Sequence, residues 1–179
     1  GGATAPVEPS ACVAPGPDDD AVDLEGAADA PIEWVPGTDL ATGETVSLPA
    51  EFVHFPPPSE RFRPAVTTGL GLGNGGVEAV LSGLYEVIER DATMLAWYSS
   101  FEPLGLDVTD DRFDTLVRRA RSENLRVDPL LLTQDVDVPV VAVAVHREAW
   151  PRFALGSSAH LDAARAATDA LAEALQNWL

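Results

Sequence analysis

The chain has 179 residues, enough for one domain with a sizeable core, and its 29 acidic and 11 basic residues give a formal net charge of −18. Such a surface repels phosphate backbones, so nucleic-acid binding is not expected. The single cysteine, Cys12, excludes an internal disulfide and a zinc site made of several cysteines. No apolar run reaches the ~18 residues of a membrane span, so no membrane association is expected.

Every basic residue is an arginine, and the acids continue through the part of the chain that has regular patterns. This composition predicts a cytoplasmic protein of a halophile, whose molar salt screens charges within ~3 Å. The chain does not begin with Met, and it ends at Leu179 inside a helical pattern. We therefore interpret it as a fragment of a longer protein, with part of its functional groups missing.

Residues 1–31 are rich in Ala, Pro, Gly and Asp and contain few large apolar side chains and no base. Such a segment cannot bury enough apolar surface to offset the entropy lost on ordering, so it is predicted to be a linker or tail. Residues 32–179 are predicted to form part of a domain. In it, residues 32–35 alternate like a strand, residues 36–39 have turn composition, and residues 45–53 can return as a second strand.

Three helices and two strands are predicted in the rest of the chain: helices over 76–98, 110–124 and 161–179, and strands over 127–133 and 138–146. Phe113, Leu116 and Val117 of the second helix are expected to face inward. The strand over 138–146 is apolar on both faces, which predicts an interior position in its sheet. The order of the elements predicts a mixed α/β layered fold.

The first long helix carries a narrow polar stripe. At about 100° per residue, Glu78, Ser82, Glu86, Glu89 and Thr93 fall within about 80° of its circumference. Most of the remaining circumference is apolar, so the helix is expected to be mostly buried. The stripe then faces solvent, a cleft or cations, and the close pair Glu86 and Glu89 favours a cation between them.

The third helix repeats this arrangement. Asp162, Asp169, Glu173 and Gln176 share one face, with Arg165 beside them, and the rest of the helix is Ala and Leu. Two such helices could hold a divalent metal between their carboxylates. Carboxylate and amide oxygens suit magnesium, especially when nucleotide phosphates complete its ligand shell.

Other features of the sequence are less specific. The glycine-rich stretch over 68–76 leads into the first long helix, where free N–H groups favour an anion, although its glycines could also permit close packing. The three histidines, His54, His146 and His160, are far apart in sequence and are expected to be structural or surface residues. The sequence has no serine nucleophile motif.

These residues carry a resemblance to a known family. The stretch from Ser82 to Asp91, with Glu86, Glu89 and Arg90, is similar to the YcaO signature S-x-x-x-E-x-x-E-R. Residues 68–73 resemble the glycine-rich lead-in of that family, residues 162–176 resemble its later helix ending in A-L-x-E-A-x-Q, and residues 34–49 are also similar. The resemblance spans roughly residues 31–179 and implies an α/β (α+β mixed) YcaO-type ATP-binding layered fold, of which this chain is the N-terminal half.

The resemblance also implies a site for ATP and Mg²⁺ that is built from acidic residues and lacks a P-loop. In that interpretation Glu86, Glu89 and Glu173 resemble metal ligands, while Ser82, Arg90 and Gln176 resemble nucleotide-binding residues. No catalytic nucleophile is implied.

The function implied by the resemblance is ATP- and magnesium-dependent activation of a peptide backbone amide oxygen, as in azoline or thioamide formation, by an enzyme that is complete only at full length. Its substrate would be a peptide or protein. A partner protein for substrate delivery or sulfur transfer, and a homodimer, are both compatible with it. Two alternatives stay open: a non-catalytic accessory protein for ribosomal-protein methylthiolation, and a metal-dependent hydrolase.

Overall fold

The computed structural model describes Pro6 and residues 32–58, 67–99, 102–147 and 152–179. The predicted linker or tail over residues 1–31 lies outside the described residues, apart from Pro6, which forms an isolated parallel bridge with Ser47. The chain divides into two compact units, Gly1–Thr67 and Thr68–Leu179. Each unit is described separately.

The first unit contains an antiparallel hairpin of β1 (Trp34–Thr38) and β2 (Thr45–Pro49), followed by a short 3-10 helix over Ala50–Phe52. The turn predicted over residues 36–39 is misplaced, because Pro36 pairs with Ser47 inside β1. The chain turns at Asp39 instead, whose carboxylate accepts hydrogen bonds from the N–H groups of Ala41 and Thr42 at 2.8 and 3.0 Å. The second strand is shorter than predicted, since it ends at Pro49.

The second unit contains α1 (Gly76–Tyr98), β3 (Leu104–Gly105), α2 (Asp111–Ser122), β4 (Arg126–Leu131), β5 (Val140–His146), β6 (Phe153–Ala159) and α3 (Ala163–Trp178). All three predicted helices and both predicted strands are present, with ends shifted by at most a few residues. The strands β3 and β6 were not predicted. The four strands form an antiparallel sheet in the order β3-β4-β5-β6, which confirms a mixed α/β fold.

The core lies on both faces of β5, as its apolar sequence predicts. Val141, Val143 and Val145 pack against α2 and α3 on one face, while Val140 and Ala142 pack near Ala92 of α1 on the other. These five side chains are at most 2% exposed, and each buried valine stabilises the fold by about 1.5–3 kcal/mol. Helices therefore cover the sheet on both sides. In α2, Phe113 and Val117 are buried and Leu116 is partly buried, which confirms the predicted inward face.

The prediction that α1 is mostly buried is wrong in this structure. Only Gly83 and Ala92 of this helix are buried, whereas Val77 is 85% exposed and Tyr98 83% exposed. The helix rests on the sheet along one line of side chains that includes Tyr85, Ile88 and Ala96, so the described residues leave much of its apolar circumference uncovered.

Two helices begin with an aspartate cap. Asp110 accepts hydrogen bonds from the first-turn N–H groups of α2, and Asp162 does the same for α3, one position before the helix in which it was expected. Among the described residues, no helix has the length and apolar composition needed to cross a membrane.

Candidate functional site

A cleft of about 640 Å³ lies between the polar stripe of α1 and the junction of β6 with α3. Ser82, Glu86 and Glu89 line it, so the stripe faces a cleft, which is one of the environments expected for it. The other described residues that line the cleft are Leu72, Glu78, Leu81, Tyr85, Ser158, Ala159, His160, Arg165 and Asp169.

Ser157 of β6 joins the carboxylates of two helices. Its hydroxyl donates to Glu89 Oε1 of α1 at 2.6 Å, and its backbone N–H donates to Glu173 Oε2 of α3 at 3.0 Å. The strand β6 is an edge of the described sheet, and an edge strand has N–H groups that no neighbouring strand accepts. The carboxylate of Glu173 accepts a hydrogen bond from one of these N–H groups, that of Ser157. Because the hydroxyl of Ser157 also bonds Glu89, the two glutamates come together across the sheet edge.

Gly156 explains how α3 comes close enough for this contact. A Cβ atom added at Gly156 would collide with Ala170 O and Ala174 N of the helix backbone and would lie 2.9 Å from the Cβ of Glu173. A residue with a side chain would therefore push α3 away. The small residue at position 156 and the alanine-rich face of α3 together set the position of Glu173.

Glu89 has the most perturbed environment among the glutamates of the cleft. Burial raises the pKa of its carboxyl above the usual value, and the negative charges of Glu173 and Glu86 raise it further. The hydrogen bond from Ser157 and the charge of Arg90 act in the opposite direction. Ionised Glu89 is thus under-compensated by the protein alone, and a bound cation would favour its charged form.

Two contacts hold the carboxylate of Glu86, which lines the cleft. Its Oε2 accepts a hydrogen bond from the N–H of Gly69 at 3.2 Å, and its Oε1 lies 3.7 Å from Arg90 Nη2. Gly69 adopts φ +86°, a conformation that favours glycine. The glycine-rich segment therefore positions a carboxylate of the stripe.

The same segment packs tightly along α1, which supports close packing as the role of its glycines. Cβ atoms added at Gly71, Gly73 or Gly83 would meet backbone atoms at less than van der Waals distance. At the helix start, Glu78 Oε2 already accepts hydrogen bonds from Asn74 N and Nδ2 at 2.8 and 3.0 Å. Glu78, in the first turn of the helix, thus ties the glycine-rich segment to the helix start.

Two of the predicted site residues, Arg90 and Gln176, lie outside the cleft lining. Both are exposed, and neither is among the described residues that line the cleft. Gln176 follows Glu173 by about one turn on α3. The structure thus brings Ser82, Glu86 and Glu89 together in the cleft, adds Glu173 through Ser157, and leaves Arg90 and Gln176 outside the cleft lining.

The donor chemistry of the site suits a hard divalent cation. Its ligand candidates are carboxylate oxygens, which magnesium prefers, and the partly buried Glu89 lacks full charge compensation. Among the residues that the structure describes, no three His, Cys, Asp or Glu side chains are already gathered as a metal cluster. Magnesium commonly uses only one or two protein carboxylates and completes its shell with water and phosphate oxygens, so the residues fit this ion.

Sequence reasoning missed several residues of the cleft. Ser157 and Ser158 lie in β6, whose sequence FALGSSA does not alternate clearly between apolar and polar residues. One feature of the sequence does indicate this strand. Ala154 and Gly156 are small residues at alternate positions, which allows close packing against the alanine-rich helix α3. Tyr85 lies on α1 beside the polar stripe and His160 follows β6, so their contact in the cleft depends on long-range packing and no local pattern marks it.

A four-stranded antiparallel sheet with helices on both faces, and carboxylates of two helices meeting at its edge, define a layered α/β domain with an acidic cleft. Residues 3–179 match the family model described as YcaO cyclodehydratase, ATP- and Mg²⁺-binding, and the chain belongs to this family. The family's description names both cofactors that the resemblance implies.

Relatives and solved structures agree with this assignment. A protein of Methanothermobacter thermautotrophicus is 32% identical over 175 residues, which cover 90% of this chain and 45% of that protein. The structure of YcaO from Methanopyrus kandleri, bound with AMPPCP and Mg²⁺, is 36% identical with a TM-score of 0.73, covering 83% of this chain and 41% of that one.

A heterocyclase in complex with substrate and cofactor is 32% identical with a TM-score of 0.73, covering 81% of this chain and 20% of that one. This chain therefore spans less than half the length of these three proteins.

Proposed function

We propose that the full-length protein uses ATP and Mg²⁺ to activate the oxygen of a peptide backbone amide, as in azoline or thioamide formation. The family description, a cyclodehydratase that binds ATP and Mg²⁺, supports this proposal. So does the similarity to a YcaO structure bound with AMPPCP and Mg²⁺ and to a heterocyclase bound with substrate and cofactor.

The observation that carries the proposal is the position of Glu89. This half-buried carboxylate lies between the charges of Glu86 and Glu173, and Ser157 fixes it at the sheet edge. Mutually repelling carboxylates in a partly buried place are costly without a cation. In the proposed site Glu86, Glu89 and Glu173 hold magnesium, and Ser82, Arg90 and Gln176 contact the nucleotide.

The protein's contribution to such a reaction is placement and charge compensation. The amide oxygen would attack the γ-phosphate of ATP and release ADP, which turns that oxygen into a leaving group, and magnesium held by the carboxylates would offset the charge of the phosphates. Arg90 adds a positive charge beside Glu86, and Ser157 keeps Glu89 oriented toward the cleft. No protein nucleophile is needed, because the amide oxygen is itself the nucleophile, and orienting the two reactants supplies much of the rate.

The choice between azoline and thioamide depends on the nucleophile that attacks the activated amide. A peptide or protein is the substrate class under this proposal, and a partner protein could deliver it or supply sulfur. A non-catalytic accessory role would leave the nucleotide site without turnover, and a metal-dependent hydrolase would act without ATP.

The test is phosphate release from ATP by the natural full-length protein, with magnesium and with candidate peptides. Turnover that requires both ATP and magnesium is expected, and Glu89→Gln should lower it at least about tenfold, the lower end of effects seen on removing groups that support a metal site. Asp91→Asn is the matched control, because Asp91 is an exposed carboxylate of the same helix that does not line the cleft. Peptide cleavage without ATP would contradict the proposal in favour of the hydrolase.

A further inference from the structure

His160, at the junction of β6 with α3, is held by contacts to both its backbone and its ring. Its backbone N–H donates to Pro139 O at 3.0 Å, which continues the pairing of β6 with β5. Its ring nitrogen Nδ1 accepts a hydrogen bond from the N–H of Asp162 at 2.9 Å. The ring of Tyr85 lies 5.1 Å from the histidine ring between centroids, tilted by 40°. The orientation of the imidazole is therefore fixed from two sides.

The contact with Asp162 selects one tautomer of the neutral ring. A nitrogen that accepts a hydrogen bond carries no proton, so the proton of neutral His160 is on Nε2. No partner for Nε2 is found among the described residues, and His160 lines the cleft. The ring thus has one N–H donor that is available to a ligand in the cleft.

Most carboxylates of this cleft lie on the α1 side, which contributes Glu78, Glu86 and Glu89 along with the hydroxyls of Ser82 and Tyr85. The side formed by β6 and α3 contributes the donors Ser158, His160 and Arg165, and Arg165 also lies 3.5 Å from Asp169. The nitrogen donors of the cleft are therefore on the β6 and α3 side. A ligand that carries both cations and anionic oxygens matches such a cleft, because the cations suit the carboxylates of α1 and the oxygens suit the nitrogen donors opposite them.

We propose that His160, as its Nε2–H tautomer, donates a hydrogen bond to a phosphate oxygen of the nucleotide in this cleft, and that Tyr85 is the residue that positions its ring. This inference rests on the proposed function, since it needs a nucleotide in the cleft. Phosphate fits better than a peptide carbonyl, because the neighbouring guanidinium of Arg165 matches the charge and shape of a phosphate group.

A purely structural role for His160 would be to cap the backbone at Asp162, and two substitutions separate that role from ligand binding. His160→Asn places an amide oxygen near the position of Nδ1, so it keeps the contact with Asp162 and loses the Nε2 donor. His160→Gln places an amide nitrogen near the position of Nε2, so it keeps a donor for the ligand. A structural role predicts the asparagine variant to behave like the wild type.

The experiment measures magnesium–ATP affinity by titration calorimetry on the natural full-length protein and both variants. His160→Asn should bind about tenfold to a hundredfold more weakly, the usual range for one hydrogen bond to a charged group, and His160→Gln should recover part of the loss. Tyr85→Phe keeps the ring contact and loses only the hydroxyl that accepts a long hydrogen bond of 3.4 Å from Leu161 N, so it should bind nearly as the wild type does, whereas Tyr85→Leu loses the ring and should bind more weakly. Equal affinity of the wild type and His160→Asn would overturn the inference and leave the proposed function intact.

Side-chain nitrogen NMR of the ligand-free protein gives a readout that does not depend on nucleotide. The resonances of His160, assigned by their loss in His160→Asn, should show the Nε2–H tautomer, and an Nδ1–H tautomer would overturn the inference. If the wild type binds no magnesium–ATP, the proposed function fails, and inorganic phosphate with magnesium becomes the probe. A shift of the Nε2 resonance on adding this probe would support the donor role, and an unchanged resonance would refute it.

Discussion

Gly156→Ala should strongly destabilise the protein, because the added methyl group has no space between β6 and α3. It would collide with backbone atoms of Ala170 and Ala174, which cannot rotate away as side chains do. The helix would have to move outward. That movement would loosen Leu171, which is fully buried, and would withdraw Glu173 from the N–H of Ser157.

The expected loss is at the upper end of what an extra methyl group causes. Overpacking a well-filled core costs about 1–3 kcal/mol, and the rigidity of the opposing backbone favours about 3 kcal/mol here. For a chain of this size, each kcal/mol lowers the melting temperature by roughly 2–4 °C, so a fall of roughly 6–12 °C is expected.

The assay is urea and thermal unfolding of the wild type and two glycine variants. Gly105→Ala is the matched control, since it makes the same change in β3 of the same sheet, where a Cβ meets no atom within 4 Å. The control should change stability by less than about 1 kcal/mol, with a gain favoured by the lower entropy of the unfolded chain. Similar effects of the two substitutions would refute the close approach of α3 to β6.

Three further predictions concern charge. Asp110→Ala should destabilise α2, because it removes the acceptor for Arg112 N and Phe113 N. The hydrogen bond from Phe113 is the main cause of the lowered pKa of Asp110, so the stabilisation is present above about pH 4 and is lost as the pH falls further. Urea unfolding between acid and neutral pH can check this dependence. Burial raises the pKa of Glu89, so the fold favours the protonated carboxyl, and stability declines as the pH rises from about 4 through the raised pKa. Metal-free Glu89→Gln should therefore melt slightly above the wild type at neutral pH and at the same temperature as the wild type at acid pH. A difference in melting temperature that stays the same across this range would contradict the burial argument. The excess of 18 negative charges predicts low stability in dilute buffer and recovery in molar potassium chloride, and a melting temperature that is flat or falls with salt would count against a halophilic origin.

The helices were the most predictable part of the fold, because their signals are local. The bounds of α1 were predicted at both ends, and its polar stripe correctly placed Ser82, Glu86 and Glu89 on one side. The extent of burial was not predictable from the same pattern. An apolar circumference shows that a helix can be buried, whereas the partners that cover it are set by other parts of the structure.

The strand β6 and its contribution to the site could not be predicted, because they depend on long-range pairing. Ser157 contacts Glu89 and Glu173 through one hydroxyl and one backbone N–H, and a backbone group leaves no trace in the sequence. His160 was predicted to be structural or on the surface because the three histidines are far apart in sequence. The groups that fix its ring, Tyr85 and the N–H of Asp162, come together only in the fold.

The measurement that tests the central claim most directly is the thermal stabilisation of the natural full-length protein by magnesium–ATP, compared with that of Glu89→Gln at fixed salt. Ligand at a hundred times its dissociation constant stabilises a protein by about 2.7 kcal/mol. The account predicts such a shift in the wild type and in Asp91→Asn. It predicts that Glu89→Gln loses most of the shift while its ligand-free stability holds or rises. An equal shift in the wild type and Glu89→Gln would contradict the role of Glu89 as a metal ligand.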